Sequence, residues 1–346
     1  MENIRNKKIL EIEKVLENIG EKKFRAKQIY EWLWKKNVNN FSQMTNLSQS
    51  LIEKLQNNFF IDAVKLDFYI SGKDKTTKCL FKTIDSHNFE GVIIPSADRV
   101  TACISTQIAC PLACTFCATG KLNFIRNLTT GEIFDEVFIL NDLSKKIFNK
   151  KLSNIVVMGM GEPLLNYENV ISAINIITSK ESLEISPQRI TLSTAGIVPK
   201  IIQLADDNIK FELAISLHSA DNEIRSTLMP INKKFNLEEL SNALIYFYKK
   251  TQKRITYEYL LLNNINDSIE DAKKLVDFTK ITPCKINILE YNSIETTVFS
   301  TSSKFKLQKF VNFLESKNLI VTVRKSKGDD ISAACGQLAG KFLQHI

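Results

Sequence analysis

NIVVMGM at 154–160 and NVISAINIIT at 169–178 decide the fold. The first is a β-branched apolar run closing on glycines, as a buried strand would; the second spaces its apolar residues as one face of a helix does. Between them GEPLLNYE supplies a turn. The same strand-then-helix unit recurs through the second part of the chain. TACIST (101–106), RITLSTAG (189–196), FELAISLH (211–218), ITYEYLLL (255–262) and KINILEY (285–291) alternate with TTGEIFDEVFILNDL (129–143), LEELSNALIYFY (237–248) and IEDAKKLVDF (269–278). Six strands alternating with helices predict an α/β fold of parallel βα units closing into a full or partial barrel, with the loops after the strands forming the active-site face. Thr129, with Glu132 three positions on, predicts a capping box opening the helix behind the first of these loops.

Upstream the rhythm differs. DAVKLDFYI, TKCLFKTI and FEGVIIP, within 61–98, read as short antiparallel strands bridging two domains. From Lys8 to about Phe60 the pattern is that of a small helical bundle, interrupted at Gly20, with Trp32 and Trp34 interleaved among lysines. At least one of these tryptophans is expected in the small domain's core. The resulting division is 1–60 as a helical accessory domain, 61–98 as a β linker region, and 99–346 as the barrel core with a C-terminal loop.

The net charge of +8 suits a polyanionic partner, and equally a plain solvated surface. Residues 1–60 carry 11 Lys and Arg against 7 Glu, half of that excess in about a sixth of the chain. Nothing in the sequence approaches a bilayer-spanning apolar run, and the start MENIRNKKILEIEK is charged rather than signal-like, so no membrane and a cytoplasmic location are expected.

Four of the seven cysteines fall within fifteen residues, Cys103 to Cys117, which argues for metal or redox chemistry over a disulfide framework. CPLACTFC places Cys110, Cys114 and Cys117 in the spacing CxxxCxxC, three thiolates on one short loop with no fourth nearby. On a 4Fe–4S cubane that leaves one iron open for a small molecule. A zinc site completed by one remote ligand is the alternative.

This CxxxCxxC resembles the defining motif of the radical S-adenosylmethionine (SAM) superfamily, whose open iron chelates SAM and whose reduced cluster cleaves it to a 5′-deoxyadenosyl radical. The resemblance implies a partial (β/α)6 radical SAM barrel here, preceded by the small N-terminal helical domain. Gly161 and Glu162, one βα unit after the cysteines, match the superfamily's SAM amino-group motif, the glycines letting backbone approach a ligand while Glu162 accepts from an ammonium. Ser193, Ser216, Leu217, His218 and Asn292 sit at later strand ends, where as a set they would bond ribose, carboxylate or adenine. Each alone reads equally well as a structural polar group, and His218 as a neutral donor.

RVTACISTQIACPLACTFCATG, GMGEPLLN, SLHSADNEIRSTLMPIN and GDDISAACGQLAG, with EKKFRAKQIYEWLW near the start, resemble the bacterial dual-specificity 23S rRNA and tRNA adenine-C2 methyltransferase family across nearly the whole chain. That resemblance implies that Cys335 takes a methyl group from one SAM to become S-methylcysteine, and that a second SAM supplies the radical. The methylene radical then adds to carbon 2 of adenine, linking protein and RNA. It makes Cys103 the thiolate that resolves the adduct with formation of a disulfide, and Glu90 the proton acceptor. It implies 23S rRNA and tRNA as partners, an electron donor such as flavodoxin, and a monomer. Cys79 and Cys284 lack such a setting and read as structural. The alternatives are the related carbon-8 adenosine methyltransferases, which Pro163 and the paired Asp329 and Asp330 disfavour, and a non-catalytic zinc-stabilised RNA-binding or ribosome-assembly factor.

Overall fold

The computed structural model describes residues 1–294 and 297–339. Ten strands form one sheet: β1 (Lys65–Ser71), β2 (Thr77–Lys82), β3 (Asn88–Pro95), β4 (Val100–Cys103), β5 (Asn154–Val157), β6 (Ile190–Thr194), β7 (Glu212–Ser216), β8 (Ile255–Leu261), β9 (Cys284–Glu290) and β10 (Val321–Arg324). They lie in chain order from β1 at one edge to β10 at the other. From β4 to β10 every neighbouring pair is parallel, whereas β1 to β4 pair antiparallel. The six predicted parallel strands are present, and the barrel is partial because its two edges do not pair with each other.

Helices α4 (Thr130–Phe148), α5 (Tyr167–Thr178), α6 (Val198–Asp206), α7 (Asn222–Leu228), α8 (Leu237–Thr251), α9 (Ile269–Thr279) and α10 (Lys304–Ser316) cross between the parallel strands, after the three N-terminal helices α1 (Ile9–Asn18), α2 (Arg25–Trp34) and α3 (Gln49–Asn58). The predicted capping box opens α4: the Thr129 side chain accepts from Glu132 N, and the Glu132 carboxylate accepts from Thr129 N.

Two features differ from the sequence reading. The antiparallel strands are continuous with the barrel, since β3 pairs directly with β4 and sets Val92 opposite Cys103. A seventh parallel strand, β10, follows α10; its four residues VTVR alternate with polar groups and are only partly covered, so no apolar run announces it.

One apolar core runs from Ile4 to Leu338 and takes in the N-terminal bundle. Trp34 is buried and meets the Phe134 ring of α4 edge-on at 5.1 Å, while Arg5 Nη1 donates to Asp135 on the same helix at 2.6 Å. Trp32 is half-buried beneath the Lys36 ammonium, which lies 3.4 Å from its ring centre. Among the described residues no helix is long and apolar enough to cross a membrane.

Candidate active site

The site is assembled where the parallel strands end. Past β4 the chain leans on the turn after β5, where Thr106 N and Gln107 N both donate to Met160 O and Gly159 N donates to Ile104 O, before Gln107–Ile108 pairs antiparallel with Arg126–Asn127. That contact explains the glycines. A Cβ on Gly159 would stand 2.7 Å from the Ile104 carbonyl, and one on Gly161, whose φ is +101°, would stand 2.5 Å from Gln107 Cβ. On the side a Cβ would occupy, the backbone approaches the chain's own segment leading into Cys110, while both glycines also line the cavity. Glu162 caps the following turn, accepting from Leu164 N at 3.0 Å and from Ala195 N at 2.8 Å, so it ties the end of β5 to the end of β6. Burial pushes its carboxyl up to about 7 against those hydrogen bonds. A cation placed beside it would restore the charged form.

The cysteine loop is braced from two sides. Thr115 N donates to Leu228 O at the end of α7, and Ala118 N donates to Gly336 O at 2.8 Å. Its backbone takes the left-handed region at Ala113, a conformation that L-residues hold only under such bracing. All three thiols line one open cavity of about 170 Å³. Burial pushes Cys110 up to about 12 and Cys114 further still, and the neighbouring thiols and Glu162 add to the effect. Cys117 acts on both Cys110 and Cys114, and Cys110 on Cys114, so the three sulfurs lie within electrostatic reach of one another, and a bound cation would favour their thiolate forms. The donor set therefore fits a metal centre. Among the described residues no three His, Cys, Asp or Glu side chains converge tightly enough to share one ion. Zinc would need its sulfurs within about 4 Å of one another, whereas a cubane spreads them over separate irons.

Across the cavity Ser193 Oγ and Ser216 Oγ lie 3.2 Å apart on adjacent strands. His218 accepts Leu260 N at its Nδ1, and burial, with Arg225 nearby, pushes it down to about 3. It is thus a neutral imidazole with its proton on Nε2, free to donate. Its ring meets Phe116 of the cysteine loop edge-on at 4.9 Å. Leu217 is fully buried and serves through its backbone: N donates to Glu258 O, and O accepts from Arg225 Nε. Asn292 is set outside the cavity lining, its Nδ2 3.5 Å from Cys335 O.

The sequence reading passed over Arg225, which is buried on α7. Its guanidinium donates to Leu217 O, Ala195 O and Asn232 Oδ1, clipping the ends of β6 and β7 together. It passed over Glu258 and Arg324 as well, both of which line the cavity. Arg225 carries no readable signal, because its partners are mostly backbone carbonyls together with the Asn232 amide oxygen; Glu258, a carboxylate inside the apolar run ITYEYLLL, could have been flagged.

Cys335 opens into the same cavity from the C-terminal loop, 225 residues after Cys110 in sequence. The residue is exposed at the cavity, yet the protein around its thiol raises the pKa by desolvation; Arg324 opposes this, and Glu258 and Cys117 add to it. Long-range clips hold the loop. Lys73 N donates to Asp330 Oδ2, Gly328 N to Asp74 Oδ2, Lys78 Nζ to Ser332 O, Thr119 Oγ1 to Leu338 O, and Ala339 N to Glu90 Oε2. Cys103 is buried beneath, near enough that Cys335 is the second cause, after burial, of its raised pKa. Glu90 is completely buried, ion-paired to Lys78 at 2.9 Å, and outside the cavity lining. The structure thus gathers ten of the thirteen expected residues at or directly beneath one cavity and sets Glu90, Leu217 and Asn292 behind its wall.

A parallel partial barrel that collects three cysteines of one CxxxCxxC loop and a glycine–glutamate turn at its strand ends defines a radical SAM enzyme, and the superfamily's profile matches residues 104–278. A second profile, the ribosomal RNA large subunit methyltransferase N-terminal domain, matches residues 2–61. The chain belongs to the RlmN family of radical SAM RNA methyltransferases. It is 48% identical over 325 residues to a probable dual-specificity RNA methyltransferase RlmN of Cytophaga hutchinsonii, covering 94% of this chain and 89% of that one. It is 41% identical to the protein so described in Clostridium novyi over the full length of both. The crystal structure of a radical SAM methyltransferase from Sphaerobacter thermophilus superposes with a TM-score of 0.91 at 33% identity, covering 99% of this chain and 100% of that one. Membership implies a 4Fe–4S cluster, SAM and an RNA substrate.

Proposed function

We propose that this enzyme methylates carbon 2 of adenosine in 23S rRNA and in tRNA, using Cys335 as the methyl carrier and two SAM molecules per turnover. The observation that carries this reading is the opening of Cys335 into the cavity lined by Cys110, Cys114 and Cys117, with the buried Cys103 within electrostatic reach of it. Carbon 2 of adenine is electron-poor and bears no acidic hydrogen, so it accepts a carbon radical rather than an electrophilic methyl group. Cys110, Cys114 and Cys117 would hold a 4Fe–4S cluster, which when bound would supply the electron that cleaves SAM to a carbon radical.

The chain's own residues do the rest. Glu162 receives the SAM ammonium; Ser193, Ser216 and the Nε2–H of His218 position its polar groups, and Asn292 borders the site. Cys335 accepts a methyl group as its thiolate and, as a methylene, becomes bonded to carbon 2. Cys103 then attacks the Cys335 sulfur, freeing methylated RNA and leaving a disulfide. Its burial keeps this thiol protonated until the adduct forms. Glu90 is the proposed proton acceptor, and it also fixes the C-terminal loop through Ala339 N. Residues 1–60 are the RNA-docking element, with Lys22, Lys23, Arg25 and Lys27 on phosphates; 61–98 join it to the core of 99–346. An external reductant such as flavodoxin and a monomeric state complete the proposal.

The test is mass spectrometry of nucleosides after anaerobic incubation of cluster-reconstituted protein with SAM, reductant and RNA. 2-Methyladenosine is the expected product; 8-methyladenosine would assign the carbon-8 chemistry instead, and no product with a verified cluster would overturn the reading.

A further inference from the structure

Glu258 and Arg324 have no part in the chemistry above, yet both face the cavity beside Cys335. Glu258 projects from β8 and is almost fully buried. Its Oε1 accepts from Asn287 Nδ2 at 2.8 Å, while Oε2 is buried with no hydrogen-bond partner. Leaving such an oxygen unsatisfied costs about 1–3 kcal/mol, a cost that a ligand with an N–H donor removes. Arg324 ends β10 with its guanidinium 3.8 Å from Glu258 Oε1, too far for a hydrogen bond, so its donors also remain available. An acceptor and a donor thus stand side by side in a concave site.

Their order matters as much as their presence. Arg324 ends β10, the edge strand that leads into the Cys335 loop, and Glu258 lies two strands inward on β8, so the sheet sets the order Cys335, Arg324, Glu258 along the wall. Along the Watson–Crick edge of adenine run carbon 2, N1, which accepts, and the N6 amine, which donates. The two series match group for group. Guanine and hypoxanthine present a donor at N1 and an acceptor at O6, which inverts the match, although hypoxanthine keeps a hydrogen on carbon 2. Enzymes that modify a base draw it out of its stack and read this edge.

We propose that Glu258 and Arg324 are the base-reading pair of this enzyme: the Glu258 carboxylate accepts from the N6 amine of the target adenine and the Arg324 guanidinium donates to N1, which turns carbon 2 toward Cys335. This rests on the adenosine reading above and names the residues that select the base. SAM also carries an adenine, so the experiment separates the two sources.

Cluster-reconstituted wild type, Glu258→Gln and Arg324→Met are given an RNA fragment whose target adenosine is kept, or replaced by purine riboside, which lacks the amine, or by inosine. Methylated nucleoside is quantified for each, and SAM binding is measured without RNA. Wild type should prefer adenosine to purine riboside in kcat/KM by roughly tenfold or more, and should exclude inosine further, since a site built to pair with a polar group rejects its mismatch. In Glu258→Gln the adenosine preference over both analogues should collapse by at least tenfold with SAM binding unchanged. Arg324→Met, at a half-exposed position that tolerates truncation, should lower use of adenosine and purine riboside alike. Undiminished adenosine preference in Glu258→Gln would overturn the proposal, as would loss of SAM affinity in either variant, which would hand the pair to the cofactor. A wild type that makes no methyladenosine at all would instead sink the underlying reading.

Discussion

The enzyme carries its reactive sulfur on two loops built on opposite plans. Cys110, Cys114 and Cys117 occupy eight consecutive residues, and the contacts that shape their loop come from the segment before it, the turn after β5 and the end of α7, with one brace from Gly336 of the C-terminal loop. Cys335 sits on a loop of small residues with little shape of its own, and its clips reach residues about 250 positions away: Lys73, Asp74, Lys78 and Glu90. A cluster needs three thiolates at set mutual distances, which a short stretch of chain can provide. A methyl carrier needs to face the cluster from across the cavity, which only a distant part of the chain can do.

The sharpest way to break this comparison is Cys335→Ala. If the loops are independent, it abolishes methylated nucleoside while iron content after reconstitution stays at the wild-type level; loss of iron along with activity would join the loops. Its counterpart Cys103→Ala should leave RNA covalently attached, visible as a shifted band on a denaturing gel.

The next largest effect concerns the clip at Glu90. Lys78→Met removes one charged partner of the buried Glu90 carboxylate, which should lower stability in chemical denaturation by about 1 kcal/mol or more. The double variant Lys78→Met with Glu90→Gln removes both charges and should recover most of that stability. Methyl transfer in the double variant then separates two roles. If it recovers, Glu90 serves as an anchor; if it stays absent in a refolded enzyme, Glu90 handles the proton.

On the cysteine-loop side, Gly161→Ala places a Cβ 2.5 Å from Gln107 at a left-handed backbone position. About 1–3 kcal/mol of destabilisation is expected, accompanied by weaker iron retention, because the displaced segment leads into Cys110. The smallest effect belongs to Asp330→Asn, where an exposed clip to Lys73 N loses only its charge. It should move the melting temperature by no more than about 2 °C. A larger shift would mean that the C-terminal loop depends on that one clip.

How much of this was legible follows the range of the contacts. The βα rhythm, the capping box at Thr129 and the CxxxCxxC loop were readable because each is written within a few residues, and the parallel strands stand where the apolar runs predicted them. Cys335 was found through resemblance of its whole loop; no spacing rule links position 335 to position 110. The antiparallel strands looked like a bridge because their own residues cannot show that β3 pairs with β4. β10 escaped notice since an edge strand of four residues, half polar, has no periodicity to detect.

By itself the sequence determined which elements form and which loop would hold three thiolates, because backbone propensity, capping and ligand spacing act over short distances. The tertiary structure alone decided that Cys335 opens into the cavity of that loop, that glycines 159 and 161 let the turn after β5 pack against the segment leading into Cys110, and that Glu258 keeps an unsatisfied buried oxygen. Those facts depend on which distant groups the fold leaves in contact, and burial then fixes what each of them can do.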